Sequence, residues 1–230
     1  LGHSTGWPVA RGGSSTIVEA LAKVLVDNGG RIETNSEILD LRDLPSADAV
    51  LLDLTPKQIL QIAPDQLEPR YAAHLARWKY GVGVHKIDYL LDGSVPWADA
   101  RVSGAGTVHV GGTMGEIVAA ERAVNRGRMP DRPFVMVTQQ SNADPSRTRA
   151  GKQVLWTYAH VPNGTALDVR PLLEAQIERF APGFGDVVLE RREWSPSALE
   201  TWNPNLVGGD IGGGTLAGTQ QLFRPAPTLH

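Results

Sequence analysis

Trp78-Lys-Tyr-Gly-Val-Gly-Val-His-Lys-Ile-Asp-Tyr-Leu-Leu-Asp-Gly-Ser-Val-Pro-Trp97 reads as one long strand, Val82 to Leu91, flanked by aromatic residues and closed by a turn at Asp92-Gly93. The period of two puts Val84, Lys86, Asp88 and Leu90 on one face and His85, Ile87, Tyr89 and Leu91 on the other. Lys86 stands at the middle of this run, where a buried strand rarely carries a charge. Two readings follow from the residues themselves. Lys86 and Asp88, neighbours on one face, can form a solvated ion pair on a half-exposed strand. Alternatively, Lys86 occupies a partly desolvated pocket, where burial disfavours its charged form and suits it to proton transfer.

Working outward, the chain alternates helix and strand signals, an α/β pattern. Upstream, Ile17, Ala20, Leu21, Val24 and Leu25 form one stripe of a helix from about Ser14 to Asn28, with Thr16 and Glu19 as a capping-box pair and Asn28-Gly29-Gly30 as its stop. Strands are predicted over Arg31 to Thr34, Glu37 to Leu41 and Ala49 to Leu54. Thr55-Pro56-Lys57-Gln58 opens a short helix to about Ile62, and a further helix is predicted from Gln66 to Lys79. Downstream, Thr113 and Glu116 cap a helix to about Arg126. Arg132 to Gln140 and Lys152 to His160 read as paired strands joined by a polar, mobile loop, Ser141 to Gly151. A helix over Asp168 to Phe180, a strand over Asp186 to Trp194 and a short helix from Ser195-Pro196 follow. Asn203 to Gly218 is then a loop with six glycines.

Composition narrows the function classes. With 230 residues, 41% of them hydrophobic, the chain can bury a core as one large domain or two small ones. A formal net charge of -3, with Lys and Arg scattered among Asp and Glu, offers no basic stripe for a phosphate backbone, so nucleic acid is not an expected partner. No apolar run reaches the roughly 20 residues that span a bilayer, and no leader pattern opens the chain; the expectation is a soluble, cytoplasmic protein. The absence of cysteine excludes disulfides and thiolate chemistry. His3, His74, His85, His109, His160 and His230 show no metal-ligand spacing, so no metal is expected. No Gly-x-Ser-x-Gly elbow marks a hydrolase. Five of the six tryptophans, Trp78, Trp97, Trp156, Trp194 and Trp202, fit either a core or an apolar substrate cavity. The chain opens on Leu1 and closes at His230 after Arg224-Pro-Ala-Pro, and both ends read as cut.

Three stretches carry a family resemblance. Gly6-Trp-Pro-Val-Ala-Arg-Gly-Gly13 precedes the first helix. Lys86 lies on the long strand. Asn203-Pro-Asn-Leu-Val-Gly-Gly-Asp-Ile-Gly-Gly-Gly214, followed by Phe223-Arg-Pro225, is the most specific string. Read bottom-up, its glycines imply a close backbone approach, to a ligand or to another part of the chain. In this order the three resemble the phytoene-dehydrogenase-related FAD-dependent oxidoreductases, a pyridine nucleotide-disulfide oxidoreductase-domain-like branch, with flavin amine oxidases as distant cousins.

The resemblance implies an α/β (mixed α+β) fold: a mixed sheet flanked by helices as the substrate domain, plus part of a Rossmann-type FAD domain. It divides the chain into a partial FAD-domain segment (1–65), a substrate-binding domain (66–202) and a return segment (203–230). It implies Lys86 at the flavin edge as the catalytic residue, and Gly12, Gly13, Ile38, Gly208 and Gly209 near the cofactor. The implied substrate is an apolar small molecule such as a polyene or an amine, with membrane-surface contact for a lipid-like substrate and a homo-oligomer both left open. No Gly-x-Gly-x-x-Gly follows a first strand, although that turn cradles the FAD pyrophosphate. The expectation is therefore that FAD belongs to the full-length context and is not held by this chain alone. The contrasting reading is a non-catalytic binding or assembly module that keeps the substrate-domain fold without flavin.

Overall fold

The computed structural model describes residues 4, 6, 8–149 and 151–225. Trp7, His3 and His230 lie outside the described residues. Helices and strands alternate along the chain. Helix α1 (Ser15–Asp27), α2 (Pro56–Ile62) and α3 (Pro69–Leu75) precede β1 (Gly83–Leu91) and β2 (Thr107–Val110). Helix α4 (Met114–Asn125), β3 (Val135–Thr138), α5 (Gln140–Ala143) and β4 (Gln153–Val161) follow. The last elements are α6 (Arg170–Glu178), α7 (Phe184–Val187), β5 (Val188–Trp194) and α8 (Pro196–Trp202).

The five strands form one sheet in the order β2-β3-β4-β1-β5. The fold class is the expected α+β one, a sheet flanked by helices. Its four strand pairings are all antiparallel, so the sheet is purely antiparallel where a mixed one was expected. The quoted strand is β1, and it lies between β4 and β5. One face of the sheet is the core. Ile87, Tyr89 and Leu91 of β1, Val135 and Val137 of β3, and Leu155 and Ala159 of β4 pack against Leu173 and Ile177 of α6 and Phe184 of α7. Tyr89 and Phe184 meet edge to face at 5.3 Å.

The local signals explain most element ends. Thr113 and Glu116 form the reciprocal capping box at the start of α4. Thr55 precedes Pro56 at the first turn of α2, but its hydroxyl turns to the Gln58 side chain and the Tyr80 hydroxyl rather than to the helix backbone. Likewise Thr16 donates back to the Gly13 carbonyl instead of capping with Glu19. Helix α3 is shorter than the Gln66 to Lys79 expectation. Pro69 fixes its first turn, and Glu68 caps it by accepting from the Tyr71 N–H. The 141–151 loop contains α5 and a 3-10 turn at Pro145–Arg147.

The three strands expected over Arg31–Thr34, Glu37–Leu41 and Ala49–Leu54 are not strands in this structure; a 3-10 turn occupies Leu41–Asp43. A strand needs a neighbour to take its backbone groups, and the one sheet among the described residues has β2 and β5 as its edge strands, with none of these segments paired to it. Their side chains are correspondingly exposed, Leu51 at 94% and Leu39 at 70%.

Candidate functional site

The sheet face opposite the core is only partly covered, and β1 sets out its contents. Register carries two rows of side chains across all five strands. One runs His109, Met136, Tyr158, Lys86, Trp194, and the next runs Thr107, Thr138, Trp156, Asp88, Arg192. Directly paired side chains in such rows stand about 5 Å apart. Alternation in β4, Trp156-x-Tyr158-x-His160, therefore stacks three rings along one strand. Trp156 and Tyr158 are nearly parallel with centroids 6.0 Å apart, and His160 follows at 5.8 Å.

Lys86 occupies the middle of this face. Its ammonium pairs with Asp88 Oδ1 and lies 6.0 Å from the ring centroids of both Trp156 and Trp194. Asp88 in turn accepts from Trp194 Nε1–H at 2.9 Å. Both side chains are about one-third exposed. The Arg192 guanidinium covers Trp194 at 4.4 Å, and Trp202 meets Trp194 edge to face at 6.0 Å. The ion pair of Lys86 and Asp88 is thus present, but between two indoles rather than in open solvent. Burial, with the Glu121 carboxylate adding to it, pushes the Tyr158 phenol above its ordinary range, so this ring stays neutral.

At the far end of the ring column, Glu121 of α4 reaches His160, with Oε2 2.8 Å from Nδ1. The polar groups on the face are therefore taken up among themselves: Lys86 by Asp88, the His160 ring by a hydrogen bond with Glu121, and Arg192 by an indole. What the face offers a ligand is mainly aromatic surface.

The predicted cofactor positions fall in three places. Gly13, with Gly12 just before it in the chain, borders a cavity of about 430 Å³ that it shares with Thr138, Gln140, Arg147 and Trp156. Gly12 N–H donates to the buried Asp144 carboxylate at 2.6 Å, and that bond, with those from Ser146, holds the Asp144 carboxyl below its usual range. Gly13 faces the Arg147 guanidinium. Gly208 and Gly209 are buried where the return segment crosses the start of β1. A Cβ on Gly208 would lie 2.1 Å from Asn163 Oδ1, and one on Gly209 would lie 2.9 Å from Pro196 Cα. Gly208 N–H is taken by Glu200. The close approach made by these two glycines is to the chain itself. Ile38 borders a separate cavity of about 680 Å³ with Leu41, Leu52, Ile62, Pro204 and Asn205.

The structure therefore brings Gly12 and Gly13 to the same sheet face as Lys86, through Trp156, and places Ile38 apart. For FAD the fit is divided. The aromatic face with its lysine suits the edge of a planar ring system. No set of free backbone N–H groups forms a pyrophosphate cradle at the predicted glycines, because the Gly12 and Gly208 N–H groups already serve carboxylates. Sequence reading assigned Trp156, Trp194 and Trp202 only in general terms and gave Tyr158, His160 and Glu121 no role. The period-two spacing of 156, 158 and 160 within a predicted strand is the signal for Trp156, Tyr158 and His160; nothing local points to Glu121. Among the described residues, no group of three His, Asp or Glu side chains gathers as a metal site, and no helix is long and apolar enough to cross a membrane.

These features define a class: an antiparallel sheet with one helix-packed face and one open face built of aromatic rings around a paired lysine. Two solved structures are similar in shape. The PF1083 protein from Pyrococcus furiosus is 17% identical with a TM-score of 0.49, over 80% of this chain and 43% of that one. An oxidoreductase from Methanosarcina mazei is 19% identical with a TM-score of 0.48, over 80% of this chain and 42% of that one. The chain spans less than half the length of either. No protein-family model and no curated protein matches it.

Proposed function

We propose that the chain is the substrate-domain portion of an FAD-dependent oxidoreductase that dehydrogenates an apolar substrate such as a polyene or an amine. The observation that carries this reading is Lys86, held by Asp88 between Trp156 and Trp194 on a half-covered aromatic sheet face. The resemblance of the Lys86 strand and the glycine-rich return segment to the phytoene-dehydrogenase-related group supplies the cofactor. Bound FAD would accept a hydride from the substrate.

On this reading the chain's own residues do three things. Trp156, Tyr158 and Trp194 bind and orient an apolar, extended substrate by its faces. With its polar groups paired among themselves, the face presents mainly aromatic surface, which favours such a substrate over an ionic one. Lys86 holds a positive charge at the ring edge, where it steadies negative charge developing in the reaction. The nucleotide half of FAD is assigned to parts of the full-length protein outside this chain, with Gly12, Gly13 and Ile38 on its border.

The test uses the full-length protein that carries this chain. It should purify with about one FAD, and Lys86→Met should slow substrate oxidation or flavin reoxidation while the flavin stays bound. A folded full-length protein that takes up no flavin would sink the reading. One observation favours the second reading, an assembly module: α1 buries none of its residues, and Ile17, Val18, Leu21 and Val24 are each more than half exposed. A flavin-free, stable homo-oligomer in solution would decide for that module.

A further inference from the structure

We infer that His160 is a proton acceptor on the open sheet face and that Glu121 is its positioning residue, a role that rests on the oxidoreductase reading above. The sheet fixes the place of His160. It follows Trp156 and Tyr158 on the same face of β4, one same-face step, roughly 7 Å, beyond Tyr158. Tyr158 is the direct cross-strand partner of Lys86, and His160 is that of Val84. A ligand lying along the ring column therefore meets His160 and Lys86 in one span.

Helix α4 fixes the ring's chemistry. Its N-terminus is held by the Thr113 and Glu116 capping box, and Glu116 is tied in turn to Arg179 of the segment after α6 at 2.7 Å. From this anchored helix Glu121 reaches His160 Nδ1 at 2.8 Å. In the neutral ring, a carboxylate at Nδ1 selects the tautomer with the proton on Nδ1 and leaves the Nε2 lone pair available. Among the described residues Nε2 has no hydrogen-bond partner, and the side chain is about one-third exposed. This is the arrangement of a general base oriented by a carboxylate.

The step balances as follows. The substrate carries hydrogen on a carbon and on an adjacent atom X, which is nitrogen in an amine. The C–H bonding pair leaves as hydride to an oxidant of the flavin class. The X–H proton goes to His160 Nε2, and the pair left on X closes the new C=X bond. Glu121 remains a carboxylate and faces the imidazolium that forms. Solvent takes the proton back when the product leaves.

Two measurements test this. In the chain alone, at a pH at which the imidazole carries one proton, ¹⁵N NMR should place that proton on His160 Nδ1, and Glu121→Gln should move it to Nε2. A proton on Nε2 in the unaltered chain overturns the inference. In the flavin-loaded full-length protein, His160→Gln should slow flavin reduction by substrate about 100-fold or more with FAD content unchanged. Added imidazole should restore much of the rate to His160→Ala, and Glu121→Asp should retain more activity than Glu121→Ala, with the effect in kcat rather than KM. Unaltered flavin reduction in loaded His160→Gln overturns the inference while leaving the oxidoreductase reading intact. A full-length protein without flavin removes the redox role and leaves only the tautomer result standing.

Discussion

At the scale of single residues, Gly209 is a position that the fold holds tightly. Its φ of 81° lies in the left-handed region, and a Cβ there would press on the backbone of Pro196 and on the Val84 amide. Neither neighbour is a flexible side-chain end that can swing away. Gly209→Ala should therefore cost about 2–4 kcal/mol, from backbone strain and overpacking together. Gly164, with φ 66° and open space around it, separates the two terms: Gly164→Ala should cost only about 1 kcal/mol. Denaturant titration of both variants checks the difference, and equal losses would mean that packing at Gly209 relaxes. His85 is a different kind of residue. It is 3% exposed, and its Nε2 lies 3.4 Å from Glu193 Oε2 without making a hydrogen bond. Burial lowers its pKa, and the Glu193 charge only partly offsets this. A histidine depressed in the folded state takes up protons more readily once unfolded. Its contribution is present above its ordinary pKa of 6.5 and is lost as pH falls through the lower folded value. His85→Leu, which puts an apolar side chain in a site with no hydrogen bond to lose, should thus lose less stability than the parent chain between pH 7 and pH 5.

At the scale of elements, α4 carries the argument because it joins a sequence signal to the site. Thr113→Ala removes its cap and should cost about 1 kcal/mol. Glu116, the other half of the box, is held down to a pKa of about 2, first by Arg179 and then by the Thr113 N–H, from an ordinary value of 4.5. Its contribution is complete above pH 4.5 and disappears as pH falls toward 2. Denaturation midpoints followed over that interval should fall less steeply for Glu116→Gln than for the parent chain; parallel curves would show that the carboxylate plays no part in acid unfolding. The same element marks what was legible in the sequence. Thr113 with Glu116, Ser195 with Pro196 and Thr55 with Pro56 announce helix starts through their own backbone chemistry, and all three helices begin there. Period two in β1 likewise assigned Lys86 and Asp88 to one face, and the same alternation in β4 carries Trp156 and Tyr158. The short edge strand β2 was missed because Thr107–Val110 is four residues long and only Val110 is buried. Glu121 lies 39 residues from His160, and no local pattern encodes such a pairing.

At the scale of the whole molecule, core and periphery divide sharply along the chain. The members of the core cluster lie between Ile87 and Phe184, and among the described residues before Pro56 none is buried. This explains why the helix stripe at 17–25 was legible and its three companion strands were not realised. The apolar pattern of residues 14–54 meets no partner strand among the described residues, so pattern and packing disagree there. Hydrogen bonds tie this segment to the rest at Gly12, whose N–H donates to the Asp144 carboxylate, and at the exposed Asp40, which accepts from Gln66 Nε2; such bonds contribute about 1 kcal/mol or less each at an exposed site. From Asp53 onward the chain is tied in properly, through Asn205, which accepts from the Thr55 N–H and donates to the Asp53 carbonyl. A chain beginning at Asp53 should therefore unfold in one cooperative transition, within about 1 kcal/mol of the parent, and bind less of a dye that reports exposed apolar surface. A loss of several kcal/mol, or a broad transition, would show that the first 52 residues support the sheet, most directly where the Gly12-Gly13 loop and Ile17 border Trp156. In that case the open face around Lys86 is shaped by the segment above it. The Lys86 and His160 variants would then have to be compared in chains that retain that segment.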